Sequence, residues 1–198
     1  AESGVWQERA VAAEQATPLP PGPVWFRSWL KVPDNLAGAG PSGADLWRDS
    51  MTLTLQGLSG PVVVFLNGQK IIEARAIPVD APRRFKVPKG IFEKGAFNAL
   101  VIRLDVSSPD GRAATRGLAT APVFAGYFDE VRMERPWQMT VREPSDLEMK
   151  ATANLPAVAV YTEKDFHPAT TVMQASIEPV RGQFVSPADA LRNLRPES

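Results

Sequence analysis

A chain of 198 residues with 22 basic and 22 acidic side chains carries no net charge, which argues against a nucleic-acid partner. It has no cysteine and a single histidine, His167, so disulfides, thiol nucleophiles, thiolate zinc sites and most catalytic imidazole sets are excluded. No apolar run approaches the ~18 residues that span a bilayer, so membrane insertion is not expected. Ala1–Gly4 does not read as a signal peptide; the expectation is a processed start or a start inside a longer chain.

Nineteen prolines interrupt helices and central strands, which predicts many short strands joined by irregular loops. Residues 1–23 read as an N-terminal extension, with an aromatic patch at Val5-Trp6-Gln7-Glu8 and an extended run at Pro18-Leu19-Pro20-Pro21-Gly22-Pro23. The first strand follows from Val24 to Val32, rich in aromatic and β-branched residues. A glycine-rich loop covers about 37–45, and Met51-Thr52-Leu53-Thr54-Leu55 then alternates with the period of a half-buried strand.

Asn67-Gly68 between Val62–Leu66 and Gln69–Ile72 predicts a two-residue hairpin, since a type I′ turn needs positive φ at both central positions. Arg84–Val87 is a short strand, and 88–95 a turn region. From Asn98 to Val106 the side chains alternate: Leu100, Ile102, Leu104 and Val106 on one face, Val101, Arg103 and Asp105 on the other. Residues 107–121 form a loop of small residues and arginines, and 122–134 and 136–142 supply two last strands. Short strands about ten residues apart predict an all-β, antiparallel β-sandwich over 24–142.

Residues 143–198 are expected as an extended, proline-rich segment lying over the sandwich, anchored by Val158-Ala159-Val160-Tyr161. A helix start follows, with Ser186 as N-cap and Pro187 at the first helical position, leading towards a further domain.

Several motifs lose their force in context. Gly38 to Gly43 has the letters of a dinucleotide fingerprint, but Pro41 lies inside it and a strand follows where a helix is needed. Ser28 and Lys31 match a Ser-x-x-Lys pair, yet on a strand they point to opposite faces. The same parity keeps Asp129 and Glu130 from acting together as a hydrolytic carboxylate pair. His167 reads as a loop residue with a local hydrogen bond. A loop calcium is conceivable from oxygen ligands, although no aspartate-rich loop marks one. No cofactor is expected, no metal site is assigned and no catalytic residue is assigned.

Tryptophan is the ambiguous element, because aromatic faces both fill cores and stack on sugars. Trp25 and Trp29 share one strand face and are expected to pack. Trp47, beside the glycine-rich loop, is the candidate for exposure to a sugar. Asp110, Arg112 and Arg116, in the loop after the long alternating strand, complete the candidate carbohydrate-binding set.

In order, Val5-Trp6-Gln7-Glu8, Val24-Trp25-Phe26-Arg27 and Val32-Pro33 resemble the opening of the sugar-binding domain of family 2 glycoside hydrolases. Leu53 to Gly57 and Val64-Phe65-Leu66-Asn67-Gly68-Gln69 resemble its hairpin. Arg84-Phe85-Lys86-Val87-Pro88 and Lys94-Gly95-Ala96-Phe97-Asn98-Ala99-Leu100-Val101-Ile102-Arg103-Leu104 resemble the strands that follow. The resemblance covers residues 5 to about 142 and implies a galactose-binding-like jelly roll, in which Asn67 and Gly68 make the turn and Gly95 and Asn98 shape a bend. Arg27 would pair across the sheet or cap carbonyls. Where the family usually has an acidic residue before the hairpin, this chain has Ser59-Gly60-Pro61.

Catalytic carboxylates of that family lie in a separate barrel, so hydrolase activity does not carry over to this chain. The tail from Phe184 to Leu191 is similar to the opening of a sorbosone-dehydrogenase-like module. The resulting expectation is a non-catalytic accessory module of a secreted, multidomain bacterial enzyme, periplasmic or extracellular. Its partners would be the neighbouring domains of the same polypeptide, with carbohydrate the candidate ligand. The alternatives are a purely structural domain that orients catalytic modules, and an unrecognised glycoside hydrolase or esterase.

Overall fold

The structure, a computed structural model, describes residues 6–11, 18–32, 51–78, 80–88, 90–93, 95–106, 118, 120–126, 129–152 and 159–168. Among them are twelve strands and one 3₁₀ turn, Glu163–Asp165. The strands are β1 (Gln7–Arg9), β2 (Gly22–Leu30), β3 (Thr52–Leu55), β4 (Val62–Leu66), β5 (Gln69–Ala74) and β6 (Arg83–Lys86). They continue as β7 (Asn98–Val106), β8 (Val123–Ala125), β9 (Asp129–Arg132), β10 (Trp137–Thr140), β11 (Val160–Tyr161) and β12 (His167–Pro168).

Two sheets result. The larger runs β1-β10-β2-β7-β4-β5, with β11 also on β2; the smaller runs β12-β9-β8-β3-β6. Every ladder is antiparallel except β11 on β2. The chain changes sheet at each step from β2 to β3, β3 to β4, β5 to β6, β6 to β7 and β7 to β8. That alternation brings β7 between β2 and β4, and β3 between β6 and β8. This is the expected all-β sandwich.

Period-two alternation places the core. Val24, Phe26 and Leu30 from β2, Val62, Val64 and Leu66 from β4, and Leu100, Ile102, Leu104 and Val106 from β7 face inward. Leu53 and Leu55 from β3, Phe124 from β8 and Val131 from β9 meet them. At the hairpin, Asn67 has φ 51° and Gly68 φ 79°, the positive values a type I′ turn requires. Beyond turning the chain, Asn67 donates its amide to the Ile91 carbonyl (2.9 Å) and to Asn98 Oδ1 (2.7 Å), and accepts the Ala99 N–H (2.9 Å).

Gly60 precedes β4 where two strands approach closely. A Cβ there would stand 2.3 Å from the Asp105 carbonyl oxygen, a main-chain atom tied by the Asp105 N–H to Pro61. Gly60→Ala should therefore cost about 1–3 kcal/mol, the range for overfilling a packed site. Urea unfolding checks it, and an unchanged midpoint would contradict the close approach.

Three expectations need correction. Residues 122–134 are not one strand but a hairpin, with β8 and β9 paired antiparallel. His167 is not a loop residue: it pairs with Glu130 in the β12–β9 ladder. The described sheets also reach beyond 24–142 at both ends, because β1 adds to β10 and β11 adds to the free edge of β2 past β10. The helix expected at Ser186 and Pro187 lies outside the described residues.

Candidate functional site

The outer faces of the two sheets differ, and the difference locates the site. On the larger sheet, Trp25, Arg27 and Trp29 point away from the core, yet Trp25 is only 5% exposed and Trp29 only 2%. Trp29 packs with Phe97, Ala99 and Ala159, and the chain following β10 reaches Arg27 between the two tryptophans. Glu148 is its anchor, accepting hydrogen bonds from Trp6 Nε1 (2.7 Å), Arg142 (2.7 Å), the Ser145 N–H (2.8 Å) and the Ser145 hydroxyl (2.9 Å). Further along, Met149 and Lys150 sit against Gly68 at the hairpin tip, and Thr152 bridges to Phe97.

Beneath this segment Arg27 is held between two indoles, its guanidinium carbon 3.8 Å from the Trp6 ring centroid and 4.8 Å from that of Trp29. It donates to Gln138 across the sheet (2.9 Å) and to the Glu148 carbonyl (3.5 Å). Burial lowers its pKa to about 10, partly offset by Glu148, so it stays charged at neutral pH. Trp25 contacts Phe65 at 6.0 Å between centroids, with Arg103 5.7 Å above its ring. Trp25 and Trp29 are packing residues, as expected.

Burial alone would raise the Glu148 pKa, but the bonds from Arg142, Ser145 and Trp6 outweigh it and hold the group down to about 2. A depressed folded-state pKa means stability that is full above the ordinary value of 4.5 and lost as pH falls towards 2. Thermal unfolding should accordingly show an acid-side loss between those values, flattened in Glu148→Gln. Identical pH profiles for the two proteins would contradict the anchor.

On the outer face of the smaller sheet Arg84, Lys86 and Arg132 are exposed, while Ala125 and Glu130 are buried. Side chains at registered positions form the row Arg84, Thr54, Val123, Arg132, running across β6, β3, β8 and β9. One pleat along lie Lys86, Thr52, Ala125, Glu130 and His167. Over the first row is a groove of about 280 Å³, walled by Gln56, Pro82, Thr120 and Ala121. Its described polar groups are two guanidiniums, hydroxyls and a carboxamide, all capable of hydrogen bonding. Glu130, 4% exposed, faces Arg132 at 3.6 Å.

A second, more open hollow of about 430 Å³ lies at the hairpin tip, between Asn67, Gly68, Gln69, Asp146 and Lys150. The Asn67 side chain there is already committed to Ile91, Asn98 and Ala99. Among the described residues no group of three or more His, Asp or Glu side chains could hold a metal ion.

The residues proposed from sequence, Trp47, Asp110, Arg112 and Arg116, all lie outside the described residues. Sequence reasoning missed Thr54, Arg84 and Arg132. Each sits beside a core residue on its strand, so parity marks it as outward; their convergence depends on which strands are neighbours.

No family model matches the chain, and no curated protein matches it. Among solved structures it is similar to a β-D-glucuronidase of Dictyoglomus thermophilum, at 14% identity over 70% of this chain and 27% of that one, with a TM-score of 0.35. It is similar too to the β-glucuronidase of Ruminococcus gnavus, at 14% identity over 60% of this chain and 19% of that one, TM-score 0.34. The chain thus spans about a quarter or less of those proteins. The sandwich assignment stands on the strand registers themselves. No match supports the sorbosone-dehydrogenase-like reading of the tail, which also falls outside the described residues.

Proposed function

We propose that this chain is a non-catalytic accessory module of a larger secreted enzyme, and that it binds carbohydrate through the outer face of its smaller sheet. The carrying observation is the groove over Thr54. It is built on regular strands and lined by hydrogen-bonding groups, with Arg84 and Arg132 exposed at its ends. Sites on strands hold their geometry better than sites on loops. The parent enzyme, its secretion and a kinship with family 2 glycoside hydrolases rest on the ordered motif series.

Affinity electrophoresis through gels carrying neutral or acidic polysaccharides tests the proposal. Retardation by at least one polymer is expected, and Thr54→Trp, which fills the groove, should abolish it. Unretarded migration in every gel, or retardation indifferent to Thr54→Trp, would sink it.

A second reading, a structural domain that docks catalytic modules, draws on Leu147 and Val141. These large apolar side chains are 84% and 45% exposed on the segment following β10. Leu147→Ser would then weaken assembly of the parent protein without changing migration in any polysaccharide gel.

A further inference from the structure

Resting on that binding role, we propose a narrower ligand class: a glycan bearing carboxylates, held by Arg84 and Arg132 at the two ends of the groove.

Charge is the first ground. The chain is neutral as a whole, but among the described residues the outer face of the smaller sheet presents Arg84, Lys86 and Arg132 exposed, and the one carboxylate in those rows, Glu130, is buried. Most described arginines elsewhere are committed to internal partners: Arg27 to Gln138, Arg103 to Asp105, Arg135 to Asp165, Arg142 to Glu148. The Arg84 side chain is exposed and makes no hydrogen bond or ion pair with another described residue. Arg132 is 59% exposed at its side chain, with Glu130 at its Nε.

Spacing is the second ground. Arg84 and Arg132 stand three strand intervals apart, roughly 14 Å between their main chains. Long side chains leaning inward from both ends suit successive acidic groups on an extended chain. A single small anion would meet only one of them. Between the two cations the floor offers the Thr54 hydroxyl, with Thr120 at the margin, as partners for sugar hydroxyls.

Recognition chemistry is the third. None of the described residues that line the groove is aromatic, so the described groups offer charge and hydrogen bonds rather than stacking. Nor do the described groups offer the stacking platforms that single-stranded nucleic acid uses.

The test is titration calorimetry of the full chain with polygalacturonate and with the same polymer fully methyl-esterified, which removes the charge and keeps the backbone. Binding of the acid form should fall roughly tenfold or more on esterification, on Arg84→Ala and on Arg132→Gln, as expected for loss of a charge-assisted contact. It should also weaken as salt rises. Arg84→Ala matters most, because that side chain does not support Glu130 and its loss should leave Tm unchanged. Equal binding of esterified and acid polymer would overturn the carboxylate assignment while leaving the carbohydrate-binding role intact. Acid-polymer binding that ignores both substitutions would overturn the site. Equally tight binding of polyphosphate would mean a general polyanion patch and overturn the glycan. No binding to any polysaccharide would overturn this inference and the proposed function together.

Discussion

Trp137→Ala should lower unfolding stability by about 3–5 kcal/mol, the cost of emptying a large aromatic site in a packed interior. Trp137 is fully buried on the inner side of β10, and its Nε1 donates to the Met133 carbonyl at 3.1 Å. It pairs with Arg9 of β1 in the register, and β10 in turn holds β1 onto β2. The substitution thus removes packing and an indole donor, and loosens the strand that carries the edge of the larger sheet. Urea denaturation with an unchanged m-value measures it cleanly. Leu147→Ser on the exposed segment following β10 is the comparison, expected within about 0.5 kcal/mol of the parent. A loss under 1 kcal/mol at Trp137 would contradict the packing described.

Asn98→Ala should cost about 3 kcal/mol, for a polar rather than an apolar reason. Asn98 is fully buried at the start of β7. Its Oδ1 accepts from Asn67 Nδ2 and the Glu93 N–H, both at 2.7 Å. Its amide donates to the carbonyls of Glu93 and Ala96 at 3.2 Å and of Leu30 at 3.4 Å. Alanine leaves those groups unpaired away from water, which is more expensive than the net worth of the bonds. Because Asn67 and Asn98 share a bond, the two alanine substitutions should be non-additive by about 1 kcal/mol in a double-mutant cycle. Strict additivity would show that the turn and the strand start are energetically separate.

The sequence made parts of this structure legible, for local reasons. Asn67-Gly68 announces its turn because few other residues accept positive φ twice in succession. The alternation from Leu100 to Val106 shows which side is buried. Trp25 and Trp29 could be read as packing residues. What meets Arg27 between them could not, since Glu148 lies more than 100 positions further along the chain and carries no periodic signal. Val123 to Arg132 reads as one run because the reversal near Gly126 lacks an Asn-Gly or Asp-Gly pair. The groove was obscured in a similar way. Thr54, Arg84 and Arg132 are ordinary outward residues of separate strands until the order β9-β8-β3-β6 sets them in one row.

The most direct measurement is amide hydrogen exchange of the full chain with and without saturating polygalacturonate. Ligand on the smaller sheet should slow exchange at Thr52–Leu55, Arg83–Lys86, Val123–Ala125 and Asp129–Arg132, and leave Arg142–Thr152 unchanged. Slowing centred on Arg142–Thr152, or no slowing anywhere, would contradict the assignment of the ligand to that face.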